Sequence, residues 1–150
     1  MGVSYQSADS LVISSTPGKV YEALTHWKER MAWRKGLLLQ WEGADQAFVG
    51  QVISNRISGH SFQYKITGLE PPYRIFMEYT GKSLQGRASI EIIPDGTQSH
   101  VTFYWMKVEP IGLLSQLYFQ MGLGLASHRR RTRQTLEMLK EHLEKFPANG

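Results

Sequence analysis

No cysteine occurs in the 150 residues, which removes disulfide frameworks, thiolate zinc sites and cysteine nucleophiles together. The absence fits a reducing, cytoplasmic setting, the compartment expected for this chain. A chain of this length is expected to form one domain over 1–150. It buries roughly two-thirds of the surface its unfolded state exposes, so the core needs neither cross-link nor metal. Long apolar runs are missing too. The most apolar stretch, Ile111 to Ala126, falls short of the roughly 20 residues a spanning helix needs, and Gln116, Gln120 and three glycines dilute it. Met1 to Ser10 hold neither a basic start nor an apolar run, so no secretory leader is expected.

Several catalytic signatures are also lacking. The five histidines, at 26, 60, 100, 128 and 142, show no short ligand spacing with a carboxylate, so neither a metal nor a cofactor is expected. Gly122-Leu123-Gly124 lacks the preceding strand and the later glycine of a phosphate loop. No serine sits in a nucleophile elbow.

What the chain does have is alternation. Ser7 to Ser15 reads as a first strand. Thr16 then caps a helix that Pro17 opens, because proline's missing N–H has no partner to lose there. A second short helix follows from Trp27 to Trp33, with Lys28, Glu29 and Arg30 placed outward, and Gly36 stops it. From Leu37 to Val108 the period is two, with strands at Leu37–Trp41, Phe48–Ile57, His60–Thr67, Tyr73–Thr80, Leu84–Ile93 and Ser99–Val108. The turns between them are short, as at Pro94-Asp95-Gly96, so neighbouring strands run antiparallel with one buried face.

Beyond Glu109-Pro110 the period returns to 3.6. Leu114, Leu117, Tyr118, Met121, Leu125, His128, Thr132, Leu136, Leu139, Leu143 and Phe146 share one stripe. A straight helix from Ile111 to Phe146 would run about 54 Å at ~1.5 Å per residue, too long for a domain with a radius of gyration near 15 Å. An interruption is therefore expected at Gly122-Leu123-Gly124. The fold class is α+β: a curved antiparallel sheet of about seven strands wrapped around a long C-terminal helix.

The order of marks resembles the START-like superfamily, also called SRPBCC, which includes polyketide cyclase/dehydrase-type proteins, the birch-pollen-allergen family and lipid-transfer START domains. The marks are Ile13 to Leu24 with a tryptophan soon after, Gly68 to Ile75, Gly96-Thr97 before the last strand, and Glu109-Pro110-Ile111-Gly112 opening the final helical region. The resemblance covers nearly the whole chain and implies a helix-grip fold with a cavity between sheet and helix. Such folds serve carriers, cyclases, dehydrases and receptors alike, so fold does not select among them.

Strand parity supplies the expected lining. Gly86 and Ala88 point toward the helix, and Gly122, Gly124 and Ala126 thin it. Phe62, Tyr64, Met77, Tyr79, Phe103, Trp105, Tyr118 and Met121 form the walls, a largely aromatic composition suited to a pocket of a few hundred Å³. The same residues could instead interdigitate as a packed core. His128, on the apolar stripe, and His60, on the Phe62–Tyr64 face, are the candidate acids or bases. Tyr64 and Tyr79 could donate to a ligand carbonyl, while Lys107 more simply reaches water.

Acidic residues number 13 against 17 Lys and Arg, a formal charge of +4. Much of the excess sits at Arg129, Arg130, Arg131 and Arg133. Off the apolar stripe, they are expected as an exposed basic face, either solvated or in peripheral contact with an anionic membrane. No nucleic-acid motif or stacking strip accompanies them, so no nucleic-acid partner is expected. The expected partner is a hydrophobic or amphipathic small molecule such as a lipid, quinone or polyketide-like compound. A cyclase or dehydrase using the same cavity, and an interaction protein with a vestigial one, are the alternatives.

Overall fold

The structure, a computed structural model, describes residues 5–57, 60–80, 84–120 and 123–145. Its elements are β1 (Tyr5–Ile13), α1 (Pro17–Thr25), α2 (Trp27–Trp33), β2 (Leu37–Trp41), β3 (Val52–Ile57), β4 (His60–Glu70), β5 (Arg74–Thr80), β6 (Leu84–Asp95), β7 (Gln98–Pro110), α3 (Leu113–Gln120) and α4 (Leu123–Lys145). All strand pairs are antiparallel, in one sheet of order β1-β7-β6-β5-β4-β3-β2. The run from β2 to β7 is a meander, and β1 returns to pair with β7.

Local chemistry sets the element ends. Thr16 has extended backbone, and its hydroxyl accepts from the Lys19 N–H at 3.4 Å, with Pro17 opening α1. The β6–β7 hairpin turns at Gly96, whose φ of +62° lies in the left-handed region glycine tolerates. Gly86, at φ +144°, sits where β6 bulges against β7.

Three expectations need correction. Residues 48–51 are not strand, because the buried Gln51 side chain serves a loop instead. Its amide donates to the Glu42 and Ala44 carbonyls at 2.9 and 3.0 Å, and its oxygen accepts from the Trp27 indole at 3.0 Å. Arg30 is not outward but buried, on the α2 face that Trp27 buries. The single apolar stripe expected along the C-terminal segment does not hold, because the segment is two helices, one ending at Gln120 and the next starting at Leu123. The interruption falls at the expected place, and Gly122 itself lies outside the described residues. Because α3 packs chiefly on α4 and β7 rather than across the sheet, Leu114 and Leu117 of the expected stripe are exposed at 82% and 51%.

The other half of that stripe is buried. Leu136 and Leu139 of α4 close on Ile13, Val20, Leu24, Ile90, Ile92 and Val101. This packed end of the sheet fixes α4, and the stretch of α4 from His128 to Thr135 is left over the remaining concave surface.

Candidate functional site

Between that surface and α4 lies a pocket of about 90 Å³. Strand alternation places Phe62 and Tyr64 of β4, Met77 and Tyr79 of β5, Ala88 of β6, and Phe103 and Trp105 of β7 on its wall, with His128 reaching it from α4. Eight of the ten side chains expected from parity thus line one space. Met121 and the side chain of Tyr118 lie outside the described residues, as do the side chains of His60 and Lys107.

The volume is smaller than the few hundred Å³ expected, and the register gives the reason. Gly86 and Ala88 do leave room on β6, but Gly86 stands opposite Tyr79 on β5 and Ala88 opposite Trp105 on β7. Those two rings close over the gap edge to face, 6.0 Å between centroids. Tyr79 also meets Phe62 and Tyr64 edge to face, and the His128 imidazole lies parallel against the Trp105 indole. Much of the space that the small residues open is filled by their neighbours' rings.

Strand parity did not find the polar half of the lining. Arg30 of α2, Asn55 of β3, and Arg131, Thr132 and Thr135 of α4 all reach the pocket. Asn55 carried a usable signal, since it shares parity with the buried Ile53 and Ile57. So did Arg30, three residues after the buried Trp27. The Tyr64 hydroxyl, Asn55 Oδ1, His128 Nδ1 and Arg30 Nε are buried without a hydrogen-bond partner.

Burial raises both tyrosines. Tyr79 is pushed up to about 12 by loss of solvent, with a hydrogen bond from Trp105 pulling the other way, and Tyr64 is raised by burial against the opposing pull of Arg30. His128 is held well below its ordinary value, first by burial and then by the charge on Arg131. At neutral pH the pocket therefore presents two neutral phenols and a neutral imidazole, with positive charge supplied by the arginines.

The arginine cluster is divided rather than a continuous basic face. Arg129 and Arg133 both reach Asp9 Oδ1 at 3.2 Å, and the Asp9 side chain is only 5% exposed. Arg131 turns into the pocket, bonds the Ser127 hydroxyl at 2.7 Å and lies 5.4 Å over the Phe62 ring. Arg130 points outward. Among the described residues, no group of three or more His, Asp or Glu could hold a metal, and no helix is long and apolar enough to cross a membrane.

No protein-family model and no curated protein sequence matches the chain. Solved structures do. The Aha1 dimer from Colwellia psychrerythraea aligns with a TM-score of 0.70 at 20% identity, over 93% of this chain and 96% of that one. Norcoclaurine synthase from Thalictrum flavum, in complex with dopamine and hydroxybenzaldehyde, aligns at 0.72 and 8% identity, over 99% and 91%. Protein MLL2253 from Mesorhizobium loti aligns at 0.71 and 15%, over 95% and 99%. Identities this low carry the architecture alone. The chain shares the helix-grip α+β fold of these proteins.

Proposed function

We propose that this chain is a cytoplasmic small-molecule-binding protein that holds a hydrophobic or amphipathic ligand between sheet and α4. One observation carries the reading: three uncharged side chains on an aromatic-walled pocket, Tyr64, Asn55 and His128, each keep a buried polar atom without a protein partner. An unmet buried polar group costs about 1–3 kcal/mol, which a ligand that bonds it returns. Apolar walls with a few convergent polar groups are the usual composition of ligand sites.

The volume narrows the class. At about 90 Å³ the pocket is smaller than the engineered cavity of about 150 Å³ that holds benzene, so any ring must widen it, and a compact planar molecule, quinone or polyketide-like, needs less widening than an acyl chain. Such a ring enters by parting the Trp105–His128 stack. Titration with menadione should therefore change tryptophan fluorescence, and Trp105→Phe should remove most of the change. Trp27 and Trp33 should contribute little, because their indole N–H groups are bonded inside the protein to Gln51 and the Ala23 carbonyl. Menadione without effect on the wild type, or an undiminished response in Trp105→Phe, would refute the assignment.

An enzyme of the cyclase or dehydrase kind is the second reading. Its support is a neutral imidazole with a partnerless Nδ1, in one pocket with two phenols that keep their protons. That set can accept one proton and donate another. Turnover of a polyketide-like carbonyl substrate, as opposed to its binding, decides between the two.

A further inference from the structure

Arg30 and Arg34, one turn apart on and just beyond α2, are 8% and 3% exposed. Neither pairs with a carboxylate among the described residues. Arg34 rests on neutral groups: the Thr135 hydroxyl at 2.7 Å, the Lys35 carbonyl at 2.6 Å and the Met138 sulfur at 3.5 Å. Arg30 has a single long bond to the Leu24 carbonyl at 3.5 Å. Arg30 Nε and Arg34 Nη2 are buried without a hydrogen-bond partner.

Guanidinium does not shed its proton to escape burial, and a buried charge left unpaired is strongly unfavourable. The charges also oppose one another, since Arg34 is lowered by burial and then by Arg30 and Arg131. Nearby acids are committed elsewhere. Asp9, which lines the same pocket, is taken by Arg129 and Arg133, and Glu29, beside Arg30 in sequence, contacts His142 at 3.3 Å.

We infer that the missing counter-ion is the ligand: the pocket accepts a compact aromatic carboxylate, its head group on Arg30 and its ring against Tyr64, Tyr79 and Trp105. The inference rests on the ligand-binding reading above and adds the charge of the molecule bound. Arginine suits the part because its planar fork matches a carboxylate with two parallel bonds. The Tyr64 hydroxyl, protonated and partnerless, is a further donor on the same wall.

Benzoate and benzamide share ring and shape and differ in charge, so the pair isolates the head group. Titrations followed by the Trp105 indole N–H resonance, assigned by its loss in Trp105→Phe, should give benzoate an affinity about tenfold or more above benzamide. Arg30→Gln should bring the two together by weakening benzoate alone. If that variant does not fold, thermal melting of the wild type serves, and benzoate should raise the midpoint more than benzamide at equal concentration. Equal binding of the two rings, equal midpoint shifts, or a preference for benzoate that survives in folded Arg30→Gln overturns the inference while leaving the pocket a ligand site. Binding of neither ring overturns the inference, and the ligand-binding reading then stands or falls on the menadione titration.

Discussion

His128 resists protonation where it stands, because burial and the neighbouring Arg131 both oppose a second positive charge. In the unfolded chain its imidazole titrates near its ordinary 6.5. Below that pH the unfolded state binds a proton that the folded state refuses. The contribution is therefore complete above about pH 6.5 and declines as pH falls toward the lowered folded value. His128→Phe removes the titrating group, so wild type should lose more thermal stability than the variant between pH 7 and pH 5. Parallel losses would mean that the imidazole charges freely in the fold. At this scale the apolar wall was readable, since alternation alone assigns Phe62, Tyr64, Met77, Tyr79, Phe103 and Trp105 to one face. Arg30 was misread because charge was taken to mean outward. Its helical spacing from Trp27 pointed inward, and two of the neutral partners around Arg34, Thr135 and Met138, are brought by α4, about 100 residues away.

Among the elements, the join between β1 and α4 has an uneven electrostatic design. Asp9 is buried, whereas the side chains of Arg129 and Arg133 that hold it are 40% and 63% exposed. Removing the acid leaves two cations that water can reach, so Asp9→Asn should cost about 1 kcal/mol, the upper end for exposed pairs. Removing both arginines strands a buried carboxylate, and the Arg129→Gln/Arg133→Gln double variant should cost about 3 kcal/mol or more. Urea unfolding of the two proteins tests the order, and a costlier Asp9→Asn would reverse the argument. Helical spacing sets Arg131, three residues beyond His128, beside the apolar stripe, so its inward turn was legible. The shared partner of Arg129 and Arg133 was not, since only the fold brings Asp9 of β1 beneath them. The existence of the strands and the order of β2 to β7, by contrast, follow from short turns and period-two runs. The error at 48–51 arose because the buried polar network of Gln51 looks, in sequence, like the start of a strand.

For the whole molecule, the meander from β2 to β7 assembles from neighbours in sequence, and β1 is the exception. It is made before the rest of this sheet, yet among the described residues it pairs with the last strand, β7, and the Ser10 and Thr102 hydroxyls that meet at 2.8 Å are 92 residues apart. Closing so long a loop brings no reward until both ends are in place. β1 must then wait, uncommitted, until β7 has been synthesised. Refolding should be rate-limited by this closure, with β1 amides acquiring protection from hydrogen exchange after those of β4, β5 and β6. Protection of β1 ahead of the meander would contradict this order. Because Asp9 rides on β1, Arg129 and Arg133 of α4 find their counter-ion only at that final step, so the pocket that α4 covers and Asp9 helps to line is among the last parts of the protein to take shape.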